Sequence, residues 1–540
     1  MSVPDTIRAA DAIARRLYAA GCRHAFGMPG GEVLTIVDAL EAAGITFVLC
    51  KHENAAGFMA EAAWHQTGAP GIMVATIGPG VLNGVNSIAN ALQDRVPLII
   101  LSGCVDAHEA ETYTHQVLDQ QAVLRPITKA TFRLSAGAAH VIADKAVGIA
   151  LEGRPGPVHI DVPISTADAP IPARAPAPRS TSVPTAPAGD ALETARDWLG
   201  SAQRPVMIVG VDAMNEGAGT AITEFATRFG IPVITSYKAK GLLDERHALS
   251  LGGAGLSPRA DAHLVPFIQK SDLIICVGYD PIEMRPGWRD IWDPRSTHVI
   301  DITAAPNHHY MHQASLSIIA DCAASLSAIS DGIEPQDAWA NGEVAVIKDA
   351  LAADFPKDEA WGPAAIIDTC RANLPDDTIA TADSGAHRIL LSQMWQCTQP
   401  RGLLQSSALC TMGCALPLAM GTALCAPDRT VASFSGDAGF LMIAGELSTA
   451  KELEIKPIFI VFVDASLALI ELKQRQRQLR NAAVDFSLHN FAAMGQAFGG
   501  AGHTATNRAE LVAALKTAQT ADTFTVIACT IERGAYDGRI

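Results

Sequence analysis

Short apolar runs of strand length alternate with helical patterns along nearly the whole chain, and this rhythm constrains the fold more than any other feature. The runs read FVLC, IMVAT, PLIILSG and VHIDV, then VMIVG, PVIT, LIICVG and HVIDI, then TIATAD, VASFSG, IFIVFVDA and FTVIAC. Near-continuous apolar strands separated by helix-length segments require crossover connections, hence parallel sheets covered on both faces. A chain of 540 residues is too long for one core, and the expectation is α/β architecture with three doubly wound parallel-sheet domains. Ala167 to Asp190, rich in Pro, Ala and Ser and without hydrophobic periodicity, reads as an extended linker. A weaker boundary falls in SDGIEPQDAWANGE, Ser330 to Glu343. The expected division is residues 1–166, a linker over 167–189, a central domain over 190–335 and a C-terminal domain over 345–540.

The formal net charge of −16, with no basic stripe, argues against nucleic acid as a partner and leaves anion binding to local groups. Hydrophobic residues make up 49% of the chain and charged residues 18%, which fits a large, well-buried and oligomeric enzyme. Eleven cysteines show no paired framework; Cys410 and Cys414, the close pair, stand in an apolar stretch. They read as reduced thiols of a cytoplasmic protein. No uninterrupted apolar run reaches the ~18 residues of a membrane span. A nicotinamide dehydrogenase would carry G-x-G-x-x-G at a strand turn with an acid downstream, and no such turn is found. Gly210 and Gly278 end strands of the central region, where a plain structural role is expected.

The chemistry-bearing stretch is FSGDAGFLMIAGELSTAKELEIKPIFIVFVDASLA, Phe434 to Ala468. One apolar strand ends in Gly436-Asp437, a helix follows, and the next strand ends in Asp464. One crossover of this length brings both carboxylates to the same sheet edge, where ligands of open parallel sheets bind. Gly436 and Gly439 let backbone approach a phosphate, and amides at a helix start face its oxygens. Two hard oxygen donors suit Mg²⁺ on a diphosphate. Either aspartate alone would ordinarily be a cap or a loop residue; the pairing at one crossover favours the metal site.

This stretch resembles the thiamine-diphosphate motif of the acetolactate synthase and pyruvate decarboxylase superfamily, which starts Gly-Asp-Gly and ends in Asn-Asn. Ala438 departs at the third motif position, and Val463-Asp464 replaces Asn-Asn, as in FAD-independent, catabolic-type acetolactate synthases. The resemblance implies metal ligands from Asp437, Asp464 and the Ser466 carbonyl. TADSGAHRI resembles the family's Asp-x-Gly-x-His element, which puts Gly385, Ala386 and His387 on the diphosphate. ALCTMGCALPLAMG resembles the segment that holds the cofactor's V conformation: Met412 wedges between the rings and the Cys410 carbonyl accepts from the 4′-amino group.

FVLCKHENAAGFMAEAAW resembles the family's strand–His-Glu–helix element, so Glu53 takes the role of the acid at N1′ that activates the ring. A carboxyl group in a partly apolar pocket suits that task. AFGMPGGEVLTIVDAL, with Gly30, and TIGPGVLNGVNSIANALQDRVPLIILSG, with Gly78, Pro79, Gly80 and Asn83, resemble the pyrimidine-binding domain. THQVLDQQAVLRPITK resembles the segment in which His115 and Gln116 face substrate or thiazolium. In the helix after Asp464, Leu469 and Leu472 face the pocket by the same resemblance, and Lys473 stands where FAD-dependent relatives place a tryptophan. Ala465, Leu467, Ala468 and Glu471 depart from the family pattern there, which leaves the substrate open. GYDPIE in the central unit also resembles the catabolic group, so FAD is not expected. The implied reaction is thiamine-diphosphate- and Mg²⁺-dependent decarboxylation of a pyruvate-like 2-oxo acid with carboligation to a second carbonyl. The alternative is a non-ligating 2-oxo-acid decarboxylase. The implied assembly is a homodimer with shared active sites, built up to a homotetramer.

Overall fold

The computed structural model describes residues 5–180 and 182–540. Twenty strands are present among them: β1 (Thr6–Arg8), β2 (His24–Met28), β3 (Thr46–Leu49), β4 (Gly71–Ala75), β5 (Leu98–Cys104), β6 (Ala130–Arg133), β7 (Val158–Pro163), β8 (Pro170–Pro172), β9 (Pro205–Val209), β10 (Val233–Thr235), β11 (Ser250–Gly253), β12 (Leu273–Val277), β13 (His298–Thr303), β14 (Leu316–Ile319), β15 (Ile379–Ala382), β16 (Leu403–Gln405), β17 (Val431–Gly436), β18 (Ile458–Val463), β19 (Ala501–Ala505) and β20 (Thr525–Thr530). They form three six-stranded parallel sheets and one small antiparallel pair.

The first sheet runs β3-β2-β4-β5-β7-β6 and the third runs β16-β15-β17-β18-β20-β19, the same order when each is counted from its own first strand. The middle sheet differs, running β11-β10-β9-β12-β13-β14. Central strands are buried along their length, as β5, β9, β12 and β18 show. Strands covered on both faces need apolar residues at successive positions, which is why they appear as unbroken runs in the sequence.

The chain groups into two compact units. The first holds the described residues up to Ser182 together with Gly413–Asp428 and Leu441–Pro457; the second holds Val183–Met412, Arg429–Phe440 and Ile458–Ile540. Within the first unit, the helix Ala415–Cys425 crosses the helix Glu53–Thr67 at Gly421, where a Cβ would stand 2.6 Å from the Met59 carbonyl oxygen. Only glycine permits that approach.

The expected linker starts later than its composition suggests. Ile164–Asp168 is helical, and β8 pairs antiparallel with β1, Ile7 opposite Ile171, both buried. Prolines on a two-stranded edge cost no ladder donor, so a Pro-rich segment forms this strand. The region after Asp464 also differs from a continuous helix: it contains Ala468–Gln476 and Phe491–Ala497, separated by an irregular stretch. An isolated bridge between Ser466 and Asp485 folds that stretch back on the start of the helix.

Candidate active site

Three adjacent strands of the third sheet, β15, β17 and β18, end at one cavity of about 510 Å³ in the second unit. After β15, Asp383 is fully buried and its backbone N–H donates to the Phe434 carbonyl, 2.9 Å, locking the turn to β17. Gly385 adopts φ +155°, and a Cβ there would lie 2.7 Å from the His387 ring. The helix Ala386–Met394 starts at this glycine, so its first amides open on the cavity, whose lining includes Gly385, Ala386 and His387. His387 is buried and stacks on Phe462 with centroids 5.2 Å apart. Burial, reinforced by Arg388, pushes its pKa down to about 3, so the ring is neutral; its Nε2 has no hydrogen-bond partner among the described residues.

Gly436 ends β17, and the helix Asp437–Ile443 begins directly at the aspartate. Gly436, Asp437, Ala438 and Gly439 all line the cavity. Asp437 is buried. Its Oδ2 accepts from the backbone N–H of Asp464 (3.1 Å) and of Ala465 (2.7 Å), and its Oδ1 accepts from the Ala438 N–H (2.8 Å). The two aspartates, 27 residues apart, are therefore joined across neighbouring strand ends. Asp464 Oδ1 in turn accepts from the Ser466 N–H, 3.2 Å, and Ala465 between them takes φ +55°. Burial raises the Asp437 carboxyl above its usual range despite the three N–H donors. Burial and the neighbouring Asp437 push Asp464 up to about 7. Two carboxylates crowded in this way favour a cation or a proton between them. Among the described residues no three His, Cys, Asp or Glu side chains gather as a metal site. A hard cation here would thus complete its shell from backbone carbonyls, water or a phosphate.

Cys410 and Met412 line the same cavity, as do Ser466, Leu469, Leu472 and Lys473. Cys410 has φ +52° and its thiol lies 3.0 Å from Nη1 of Arg388. Arg388 is buried and also donates through Nε to Gln405 Oε1, 2.7 Å. Arg388 and Arg285 both line the cavity, and the motif reading passed over both. Arg285 carries no sequence signal because it reaches the site from the central domain, whereas Arg388 directly follows His387 in TADSGAHRI and could have been found there.

The remaining expected residues belong to the first unit. Glu53 begins its helix after β3, is buried, and accepts from Asn83 Nδ2 at 3.0 Å. A Cβ on Gly80 would come within 3.1 Å of Glu53 Oε1, so the turn Gly78-Pro79-Gly80 stands against this carboxylate. Pro79 occupies the first helical position, where its missing N–H costs nothing. Gly30 stands against Thr76, whose hydroxyl donates to Glu32 at 2.5 Å. His115 and Gln116 lie on an exposed loop, Gln116 at φ +61° with its carbonyl against Gly78.

Two residues fix this arrangement without having been singled out. Gln120, buried, accepts from the Gly78 N–H at 2.9 Å and donates to Asp161 at 2.7 Å. Glu446, buried, accepts from the backbone N–H of Lys51 (2.7 Å) and His52 (2.8 Å), which holds the turn into Glu53. Burial raises the Glu446 carboxyl above its usual range. Its only sequence signal is a glutamate in the stretch between Asp437 and Asp464.

Comparison with known proteins agrees with this geometry. Residues 7–123 match the thiamine pyrophosphate enzyme N-terminal TPP binding domain, 192–329 the central domain and 383–529 the C-terminal TPP binding domain of the same enzymes. The three sheets are those of a thiamine pyrophosphate enzyme. The chain is 32% identical to acetolactate synthase isozyme 1 large subunit of Escherichia coli, over 86% of this chain and 83% of that protein. It is 29% identical to acetolactate synthase of Bacillus subtilis (92% and 88% covered) and 28% identical to the catabolic acetolactate synthase of Raoultella terrigena (97% and 95% covered). The chain belongs to the acetolactate synthase family.

Proposed function

We propose that the protein decarboxylates a pyruvate-like 2-oxo acid and ligates the remaining acyl carbon to a second carbonyl compound, with thiamine diphosphate and Mg²⁺ as cofactors. The observation that carries the reading is the joined pair Asp437 and Asp464 at neighbouring strand ends, opening on one cavity with the Gly385 turn. The donor set fits the group: crowded carboxylates call for a cation, the helix-start amides at Ala386 and Asp437 face anionic oxygens, and the unpartnered His387 Nε2 is available to a ligand.

Bound thiamine diphosphate supplies the electron sink for loss of CO₂. Asp437, Asp464 and the Ser466 carbonyl hold the metal. Gly385, Ala386, His387, Gly436, Ala438 and Gly439 bind the diphosphate, where side chains are small enough for backbone to approach. Met412 and the Cys410 carbonyl orient the rings. Glu53, held by Asn83 and set in place by Glu446, keeps a proton at the N1′ atom. Gly30 and Pro79 shape the pyrimidine cleft, and His115 and Gln116 position substrate. Leu469 and Leu472 exclude water from the reacting carbon, which favours ligation over protonation, and Lys473 beside them shapes the acceptor site.

In this reading Glu53 serves the cofactor of a partner copy, so a homodimer is the functional unit and a homotetramer its expected assembly. Analytical ultracentrifugation tests that. No FAD is proposed, on the resemblance of GYDPIE to the catabolic group; purified protein lacking flavin absorption would agree. No helix among the described residues is long and apolar enough to cross a membrane, and a cytoplasmic enzyme is proposed. The deciding experiment supplies cofactor, Mg²⁺ and pyruvate: acetolactate in the product supports carboligation, whereas acetaldehyde alone makes the enzyme a decarboxylase.

A further inference from the structure

A buried polar group on one face of the first sheet backs the turn Gly78-Pro79-Gly80. Ser102 on β5 stands opposite Asp161 on β7, and His159 precedes Asp161 on the same face. All three are buried, as is Gln120, which opens the helix Gln120–Leu124. The Ser102 hydroxyl donates to Asp161 Oδ1 at 2.7 Å and lies 2.7 Å from His159 Nε2. Gln120 Nε2 donates to the same Asp161 oxygen at 2.7 Å and to the Gly103 carbonyl at 3.0 Å. Burial works to raise the Asp161 carboxyl, yet His159, Ser102 and Gln120 together hold it below the usual range. The Gln120 amide is thereby fixed at its nitrogen, and its oxygen accepts from the Gly78 N–H at 2.9 Å.

Gln116 precedes Gln120 at the end of an irregular segment whose residues 107–116 are exposed. The segment is anchored at its start by Asp106, which accepts from the Ser165 hydroxyl at 2.7 Å. Gln116 itself takes φ +61°, a left-handed conformation that a residue with a side chain keeps only where its surroundings impose it. Those surroundings are Gly78, at φ +71°, where a Cβ would stand 2.8 Å from the Gln116 carbonyl oxygen. Burying a carboxylate and an amide merely to cover a sheet face is costly where a leucine would serve. Here the group has a directional use: it fixes Gly78, and Gly78 confines the backbone of Gln116. Resting on the carboligase reading above, we propose that Gln120, seated on Asp161, is the positioning residue that holds Gln116 toward the substrate.

The test is a double-mutant cycle on cofactor-loaded enzyme with pyruvate, with kcat and KM read separately. Gln120→Met keeps the length of the side chain and removes its hydrogen bonds; it is expected to lower kcat/KM by about ten- to a hundredfold. Gln116→Ala should lower the same parameter, kcat or KM, and the double variant should fall no further than the lower of the two. A residue that merely supports the fold gives losses that multiply, and that outcome overturns the proposal. So does a Gln120→Met enzyme that works normally, or a Gln116→Ala enzyme that does; the carboligase reading survives all three. Should Gln120→Met fail to fold, Asp161→Asn, which keeps the volume and an acceptor oxygen, takes its place in the cycle. Absence of turnover in the unmodified enzyme overturns the carboligase reading instead, and amide hydrogen exchange then decides the inference. Faster exchange over residues 105–119 in Gln120→Met, with β5 and β7 unchanged, supports it; unchanged exchange in that segment overturns it.

Discussion

The central and C-terminal sheets have the same number of strands, all parallel, yet one closes its crevice and the other opens it. In the central sheet the strand order reverses between β9 and β12, the place where open α/β sheets bind ligands. There Gly210 follows β9 and donates to the Val277 carbonyl at 3.0 Å, and Gly278, at φ +58°, accepts from the Asp212 N–H at 3.0 Å. A Cβ on Gly278 would overlap the Ala213 backbone nitrogen. Backbone fills the crevice, so the plain structural role expected for both glycines fits their surroundings. In the C-terminal sheet the corresponding ends of β15, β17 and β18 carry Gly385, Asp437 and Asp464, which leave a cavity between them. Topology supplies the crevice; the residues at the strand tips decide whether backbone or a ligand occupies it.

That contrast can be broken by mutation. The largest effect belongs to the acid proposed to activate the cofactor: Glu53→Gln is expected to lower turnover by about 10²–10⁴-fold while calorimetry finds cofactor affinity nearly unchanged. Near-normal turnover would remove Glu53 from the mechanism. At the open strand ends, Asp464→Ala is expected to weaken Mg²⁺-dependent cofactor retention by at least about tenfold, and a metal titration reading no change would sink the clamp. At the closed strand ends, Gly278→Ala is expected to cost about 1–3 kcal/mol of stability, read by denaturant unfolding, with metal affinity of the folded protein unaltered. Should it instead alter metal binding, the two crevices are not independent.

The smallest effect is a pH slope. The unfolded His387 takes up a proton near pH 6.5, whereas the folded ring does so only at about 3. Between these values the unfolded state binds more protons, so stability contributed by the neutral ring falls as pH falls. From pH 6.5 to 5.5 the loss is about 1 kcal/mol. His387→Gln should remove that part of the slope; identical slopes in the two proteins would show the ring to be solvated.

Legibility from the sequence followed the range over which each feature is encoded. Asp437 and Asp464 are fixed to strand ends by the length of one crossover, Gly385 and Met412 stand in short motifs that resemble the family's, and the structure brings all four to one cavity. The strands β1 and β8, three residues each and partly proline, have too little apolar pattern to announce themselves. The break after Gln476 was missed because the stretch keeps helix-forming residues, while the Ser466–Asp485 bridge that ends the helix joins positions far apart. Gln120 and Glu446 carry no motif at all. Their importance lies in which backbone N–H each satisfies, Gly78 for one and Lys51 and His52 for the other.

By itself, then, the order of apolar runs and acidic strand tips determined three parallel α/β domains and a diphosphate-type site, because period and crossover length are local properties of the chain. Tertiary structure alone decided that the central crevice is sealed, that Glu446 secures the turn into Glu53, and that Arg285, Arg388 and Lys473 share one cavity. Those outcomes depend on side chains from distant segments meeting at a distance of a few ångströms, and no local pattern records such a meeting.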